Sequence, residues 1–316
     1  GGLSVESVRK FAKELGWPTI AEDPLSFPDA VAHASIFLTS AQTRAALIPQ
    51  TVIVIGRTTL SRSINTFLKL APTQIVIDPR MATVDSDRHA DKRFTQIPEL
   101  NTKTASPEWS EQWEKYADRA AKSIDALTGF SEAVIAREVA ANLPEGSTLF
   151  VSSSRPIRDL EGFGAPRSGV RTYANRGLAG IDGNISTALG IASASKQTFA
   201  VLGDLSFLHD LTGLIHREDI DCCFIVINND GGGIFSTLPQ RGVDGFESVF
   251  GTPHGLDPAA IAGAMGISAS TISSIDELKK VLKSPVKGIS VVVANVASRD
   301  ENADSLKAIY ESMNSI

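Results

Sequence analysis

A chain of 316 residues is too long for one ordinary hydrophobic core, so two α/β-sized domains are the natural division. Its content of 42% hydrophobic and 21% charged residues excludes a disordered chain, and a formal net charge of −6 without a basic stripe argues against a nucleic-acid partner. No apolar run is long enough to span a bilayer, and Gly1-Gly2-Leu3-Ser4 has neither the basic nor the apolar segment of a secretory signal, so a reduced, cytoplasmic setting is expected.

Val5 to Leu15 has helical period and Gly16 is a plausible stop. Thr51 to Ile55 followed by Gly56, and Gln74 to Ile77 followed by Asp78-Pro79, read as buried strands ending in turns. Buried strands alternating with helices predict a mostly parallel sheet. Arg57 and Arg62 follow the first strand end; they either reach an anion or a regulator or, by default, sit in solvent. Pro98 to Trp109, including Asn101-Thr102-Lys103-Thr104-Ala105-Ser106-Pro107, is polar and broken by proline and reads as a linker or surface loop. A helix follows from about Glu108 to Leu127. A second α/β unit opens with a helix from Ser131 to Leu143, for which Ser131 is a good N-cap.

The boundary therefore falls near Phe130, giving domains 1–130 and 131–316. In the second, strands are expected at Thr148 to Val151, Thr198 to Leu202, Cys222 to Ile227 and Ser290 to Ala294. The fold class is α/β: two three-layer α/β/α domains with mostly parallel sheets. Cys222 and Cys223, adjacent on a strand, point to opposite faces; they suit small buried hydrophobes rather than a disulfide or a zinc site.

Two strand ends carry the most information. Val201-Leu202-Gly203-Asp204-Leu205-Ser206 and Ile227-Asn228-Asn229-Asp230-Gly231-Gly232-Gly233 each run from a strand into polar groups and glycine. A magnesium ion carrying a diphosphate wants hard oxygen ligands. Asp204 and Asn229 each offer one side-chain oxygen, a backbone carbonyl near Gly231 a third, and phosphates and water the rest. Gly203 and Gly231 to Gly233 would let the backbone approach charged oxygens. Ser206 stands near the start of the next helix, whose N–H groups favour anions. No Gly-x-Gly-x-x-Gly and no Walker A sequence is present, so nucleotide-binding folds of those kinds are disfavoured.

Asp204 and Asn229 stand 25 positions apart. That spacing resembles the diphosphate motif of thiamine-diphosphate enzymes. Three further runs narrow the family: Ser152 to Asp159, Tyr173 to Gly183 with its Asn175-Arg176-Gly177 core, and Asn228 to Gln240. With Gly203 to Leu214 they closely resemble the 2-succinyl-5-enolpyruvyl-6-hydroxy-3-cyclohexene-1-carboxylate (SEPHCHC) synthases of menaquinone biosynthesis.

The resemblance implies thiamine diphosphate with Mg²⁺ or Mn²⁺, held by Gly203, Asp204, Leu205, Ser206, Asn229, Gly231, Gly232 and Ile234, the metal by Asp204, Asn229 and Gly231. It implies substrate contacts from Ser154, Arg158, Arg176, Ile181, Phe235 and Leu238. The implied reaction decarboxylates 2-oxoglutarate and adds the succinyl unit in 1,4 fashion to isochorismate, giving SEPHCHC and CO2. Both substrates are anionic, which suits arginine clamps. Arg155 departs from the apolar residue expected at its place, so its role is open.

Residues 1–130 resemble the central domain, with no cofactor expected there, and 131–316 the diphosphate domain. The catalytic glutamate belongs to a pyrimidine-binding domain that no segment here matches. The chain is therefore expected to be truncated at its N-terminus, as Gly1-Gly2 without Met also suggests, to carry no catalytic residue and to be inactive alone. Family sites form between subunits of a homo-oligomer, a dimer or tetramer. The five histidines, His33, His89, His209, His216 and His254, have no metal spacing and are read as solvated or structural, although His209 could line the site. Alternative readings are an acetohydroxyacid-synthase-like carboligase and a non-catalytic cofactor-binding module.

Overall fold

The computed structural model describes residues 2–58, 60–80, 89–99, 104–215 and 219–314; Gly1, Asn101 to Lys103 of the expected loop, and His216 lie outside the described residues. The first helix, Val5–Leu15, has the expected bounds: the Ser4 side chain accepts the Ser7 N–H, and Gly16 closes the helix at φ 60°. Among the described residues three parallel strands follow, β1 (Thr51–Ile55), β2 (Thr73–Ile77) and β3 (Lys92–Phe94), in the order β1-β2-β3. Composition hides β3, because Lys92-Arg93-Phe94 is a short charged segment at a sheet edge, where such residues discourage further pairing.

The helix Pro107–Asp125 is capped by Ser106 and buries Trp113, Ala117, Ala120 and Ile124, a stripe at helical spacing. Trp113 takes Phe37 and Phe67 edge-on at centroid distances of 5.9 and 5.6 Å. The same cluster holds Ala136 and Phe163 and, from the final helix Arg299–Ser312, Leu306 and Ile309. Apolar packing thus continues from the first half into the second.

The second sheet contains β4 (Thr148–Val151), β5 (Arg171–Tyr173), β6 (Thr198–Gly203), β7 (Cys222–Asn228), β8 (Ser268–Ile272) and β9 (Ile289–Asn295). All its pairs are parallel, in the order β5-β4-β6-β7-β9-β8. The four inner strands are the four expected ones. Their near-continuous Val, Ile, Leu and Phe content reflects burial on both faces. One face packs with Ile135, Val139 and Leu278, the other with Ile185, Leu189 and Phe207, which makes helix, sheet and helix layers. Cys222 and Cys223 are free, buried, and divided between those two faces. The edge strands β5 and β8 are mostly exposed and polar, and no apolar run announces them.

From β4 the chain winds outward to β5, then returns to β6 on the other side of β4. The order reverses between β4 and β6, and ligands of open α/β sheets bind beyond the carboxyl ends of strands at such a point.

Candidate functional site

The segments that leave β4, β6 and β7 at that edge carry the sequence-derived candidates. Residue Gly203 ends β6 paired with Ile227, so Asp204 and Asn229 emerge from adjacent strands. Asp204 is 2% exposed. Its Oδ1 accepts the Leu205 N–H at 2.7 Å, and its Oδ2 accepts the Gly231 N–H at 2.8 Å. These bonds tie the two strand ends together. Burial pushes the Asp204 carboxyl above the usual carboxylate range, against the pull of those N–H groups and of His254.

Asn229 donates its Nδ2 hydrogen to Glu132 Oε1, and its own Oδ1 is buried without a hydrogen-bond partner. Buried polar oxygens are seldom left unpaired, so this one marks a place for something further. The Gly231 carbonyl accepts the Gly233 N–H at 3.0 Å, which leaves it a second lone pair. Asp204, Asn229 Oδ1 and the Gly231 carbonyl all offer oxygen, the donor chemistry that fits Mg²⁺ or Mn²⁺. Among the described residues, no group of three or more His, Cys, Asp or Glu could hold a metal ion. An open cleft of about 490 Å³ lies beside Asn228, Asn229 and Asp230, walled by Asn295, Ser298 and Arg299.

Four features differ from the sequence-based expectations. Gly231, at φ 132°, and Gly232 are needed because any Cβ would strike the Gly251 and Phe250 carbonyls; the backbone that approaches them is the protein's own. Gly203 faces open space. Ser206 lies in a helix of only six residues, Asp204–His209, and its hydroxyl accepts from Asn184 Nδ2 at 2.9 Å and donates to the Ile181 carbonyl. Its side chain thus braces the 181–184 turn.

His254 is the third departure. Its Nε2 lies 3.2 Å from Asp204 Oδ2 and its Nδ1 3.6 Å from Asp230 Oδ1, so this histidine belongs to the site. Asp230 in turn accepts N–H groups from His254 and Gly255, which hold its carboxyl below the ordinary range. The fourth is Glu132, absent from the sequence-based candidates. It is 5% exposed at the start of the helix Glu132–Asn142, and burial drives its carboxyl upward against the opposing charge of Arg155. An acidic residue in a first helical turn ordinarily signals only a favourable helix dipole, which is why it escaped notice.

Arg155 now has a place: its guanidinium pairs with Asp159 and lies 3.5 Å from Glu132. Burial lifts Asp159 to about 7 despite Arg155. Of the remaining histidines, His33 is buried with Nδ1 2.8 Å from the Gly162 carbonyl, while His89 and His209 are exposed. Arg57 and Arg62 are exposed as well.

Of the substrate candidates, Ser154 and Arg158 follow β4, Arg176 and Ile181 lie in the 174–183 turn after β5, and Phe235 and Leu238 follow β7. Ser154 adopts φ 76°, ψ −129°, a conformation costing a residue with a Cβ about 1–3 kcal/mol and concentrated at functional sites. Arg158 Nη1 donates to the Ser154 carbonyl at 2.7 Å. Burial, then the like charges of Arg176 and Arg155, hold the Arg158 guanidinium below its ordinary range. Crowded cations of this kind suit an anionic ligand. Ile181, Ile234, Phe235 and Leu238 are half-buried, so none is simple core. Phe235 stacks obliquely on Phe250 at 5.4 Å, anchoring its segment.

Residues 4–151 match the family described as the middle domain of thiamine pyrophosphate enzymes, and residues 163–296 the thiamine pyrophosphate enzyme C-terminal TPP-binding domain. The chain belongs to the thiamine pyrophosphate enzymes. Within that class its likeness is to 2-succinyl-5-enolpyruvyl-6-hydroxy-3-cyclohexene-1-carboxylate synthases. It is 38% identical to that of Thermobifida fusca (strain YX) across 85% of this chain and 51% of the relative. Identity is 32% with that of Bacillus cytotoxicus, across 97% of this chain and 57% of the relative. It is 34% with that of Kineococcus radiotolerans, across 96% and 57%. The chain spans about half the length of the curated relatives it matches.

Proposed function

We propose that this chain forms the diphosphate-and-metal half of a SEPHCHC-synthase-type carboligase, which decarboxylates 2-oxoglutarate and adds the succinyl unit to isochorismate in menaquinone biosynthesis. The observation that carries the reading is the buried Asp204 beside an Asn229 Oδ1 that lacks any partner, both on adjacent strand ends. Asp204, Asn229 and the Gly231 carbonyl would hold the divalent ion, with Gly203, Leu205, Gly232 and Ile234 around the diphosphate. Thiamine diphosphate, when bound, supplies the carbanion-stabilising chemistry that lets a 2-oxo acid lose CO2.

The remaining work falls to binding and exclusion. Arg158 and Arg176 would take substrate carboxylates, their mutual repulsion relieved by the anion, with Ser154 beside them. Ile181, Phe235 and Leu238 would keep water from the reacting centre, which favours loss of carboxylate charge. We place the division between the central and diphosphate domains near Phe130. The glutamate that faces the aminopyrimidine ring is expected from a separate pyrimidine-binding domain, in a homo-oligomer whose sites lie between subunits.

Steady-state assays of the complete enzyme decide the substrate. Turnover of 2-oxoglutarate with isochorismate is expected. Preference for pyruvate would move the reading to an acetohydroxyacid-synthase-like carboligase. Failure to bind thiamine diphosphate at all would leave only an interaction module.

A further inference from the structure

An asparagine carboxamide offers an oxygen on one side and an NH₂ on the other, and only the oxygen can ligate a hard cation. Something must decide which way Asn229 faces. In this structure Nδ2 points into the protein and donates to Glu132 Oε1. Glu132 is itself fixed: its backbone N–H donates to Asn302 Oδ1 at 3.0 Å, and its second oxygen faces Arg155 Nε at 3.5 Å. The local backbone is fitted to this contact, since a Cβ at Gly233 would collide with Asn229 Nδ2 and crowd Glu132 Oε1 at 3.2 Å. Turning the amide over would set Oδ1 against the Glu132 Oε1 that now accepts from Nδ2 and take that donor away.

We propose that Glu132 is a positioning residue that captures the Asn229 Nδ2 hydrogen and so locks the carboxamide with its oxygen toward the metal, while Arg155 holds the far side of the carboxyl group. This rests on the reading of Asn229 as a metal ligand. It gives a purpose to the charged residue at position 155 and to the glycine at 233. Groups that orient metal ligands from behind are typically worth 10–100-fold in metal affinity.

The test titrates the purified protein with thiamine diphosphate and Mg²⁺ by calorimetry, comparing wild type, Glu132→Ala, Glu132→Gln and Asp204→Ala. A two-dimensional NMR spectrum follows the Asn229 side-chain NH₂. Glu132→Ala should weaken affinity by about 10–100-fold and shift the Asn229 NH₂ signals before any ligand is added. Glu132→Gln keeps an oxygen acceptor and should recover most of that loss. Thermal melts separate misfolding from misorientation, because the Gln variant keeps the side-chain volume. The proposal is overturned if Glu132→Ala binds like wild type while Asp204→Ala does not. It is equally overturned if Gln is as damaging as Ala at equal folded content. If wild type shows no binding, or Asp204→Ala binds as tightly as wild type, the metal reading itself fails and takes this inference with it.

Discussion

Two aspartates leave the carboxyl ends of parallel strands in this chain, and their surroundings are opposite. Asp78 follows β2 and is met two residues later by Arg80, whose Nε donates to Oδ1 at 2.9 Å. That hydrogen bond holds its carboxyl below the usual range. Asp204 follows β6 and is as little exposed but set deeper in the protein, and among the described residues no lysine or arginine lies within ion-pair distance; burial raises its carboxyl instead. The same strand-end position is self-neutralised in the first sheet and left short of positive charge in the second. A position on a parallel sheet is therefore not a site by itself; the missing counter-charge distinguishes one.

The strongest way to break this contrast is to remove each aspartate. Asp204→Ala should lower Mg²⁺-dependent thiamine diphosphate affinity by about 100-fold or more, beyond what groups behind the ligands typically contribute. Asp78→Ala should leave it unchanged in the same calorimetric titration. Next come the arginines. On the proposed function, Arg158→Ala and Arg176→Ala should each raise the KM for 2-oxoglutarate in the complete enzyme by about 10–100-fold, the scale of a charged hydrogen bond. Arg57→Ala and Arg62→Ala, exposed on the first sheet's side, should not move it.

A third measurement asks whether unpaired burial is felt as instability in the second half. Glu161 is raised from 4.5 to about 8 by burial and then by the nearby Glu22, so folding favours its protonated form. Its stabilising share is full below pH 4.5 and is lost as pH rises through about 8. Glu161→Gln should therefore melt several degrees above wild type at pH 8, a few kcal/mol, and no higher than wild type at pH 4.5. The smallest effect belongs to the first half. Arg80→Ala should cost about 1 kcal/mol at neutral pH, discounted for a guanidinium that is nearly half exposed. Asp78 has a depressed carboxyl, so its stabilisation is present above the unfolded value of 3.8 and disappears below it. The gap between the melting curves should close as pH falls past that value.

The inner strands were legible because burial on both faces leaves uninterrupted apolar runs, and β6 and β7 brought Asp204 and Asn229 with them. The edges were not: β3, β5 and β8 are short or polar because one side meets solvent. The site was readable only where its residues follow strands. Glu132 and His254 reach it from outside those strand ends, across tertiary contacts that no local spacing encodes. The need for glycine at 231 and 232 has a second reason that composition does not show, the close approach of the 250–251 backbone.

The paired cysteines at the start of β7 have a practical consequence. Both thiols are buried in an inner strand, and burial raises their pKa, so a thiol reagent has almost no thiolate to attack in the folded protein. Labelling can proceed only when the sheet itself opens, and the modification rate of the unaltered protein becomes a clock for that event.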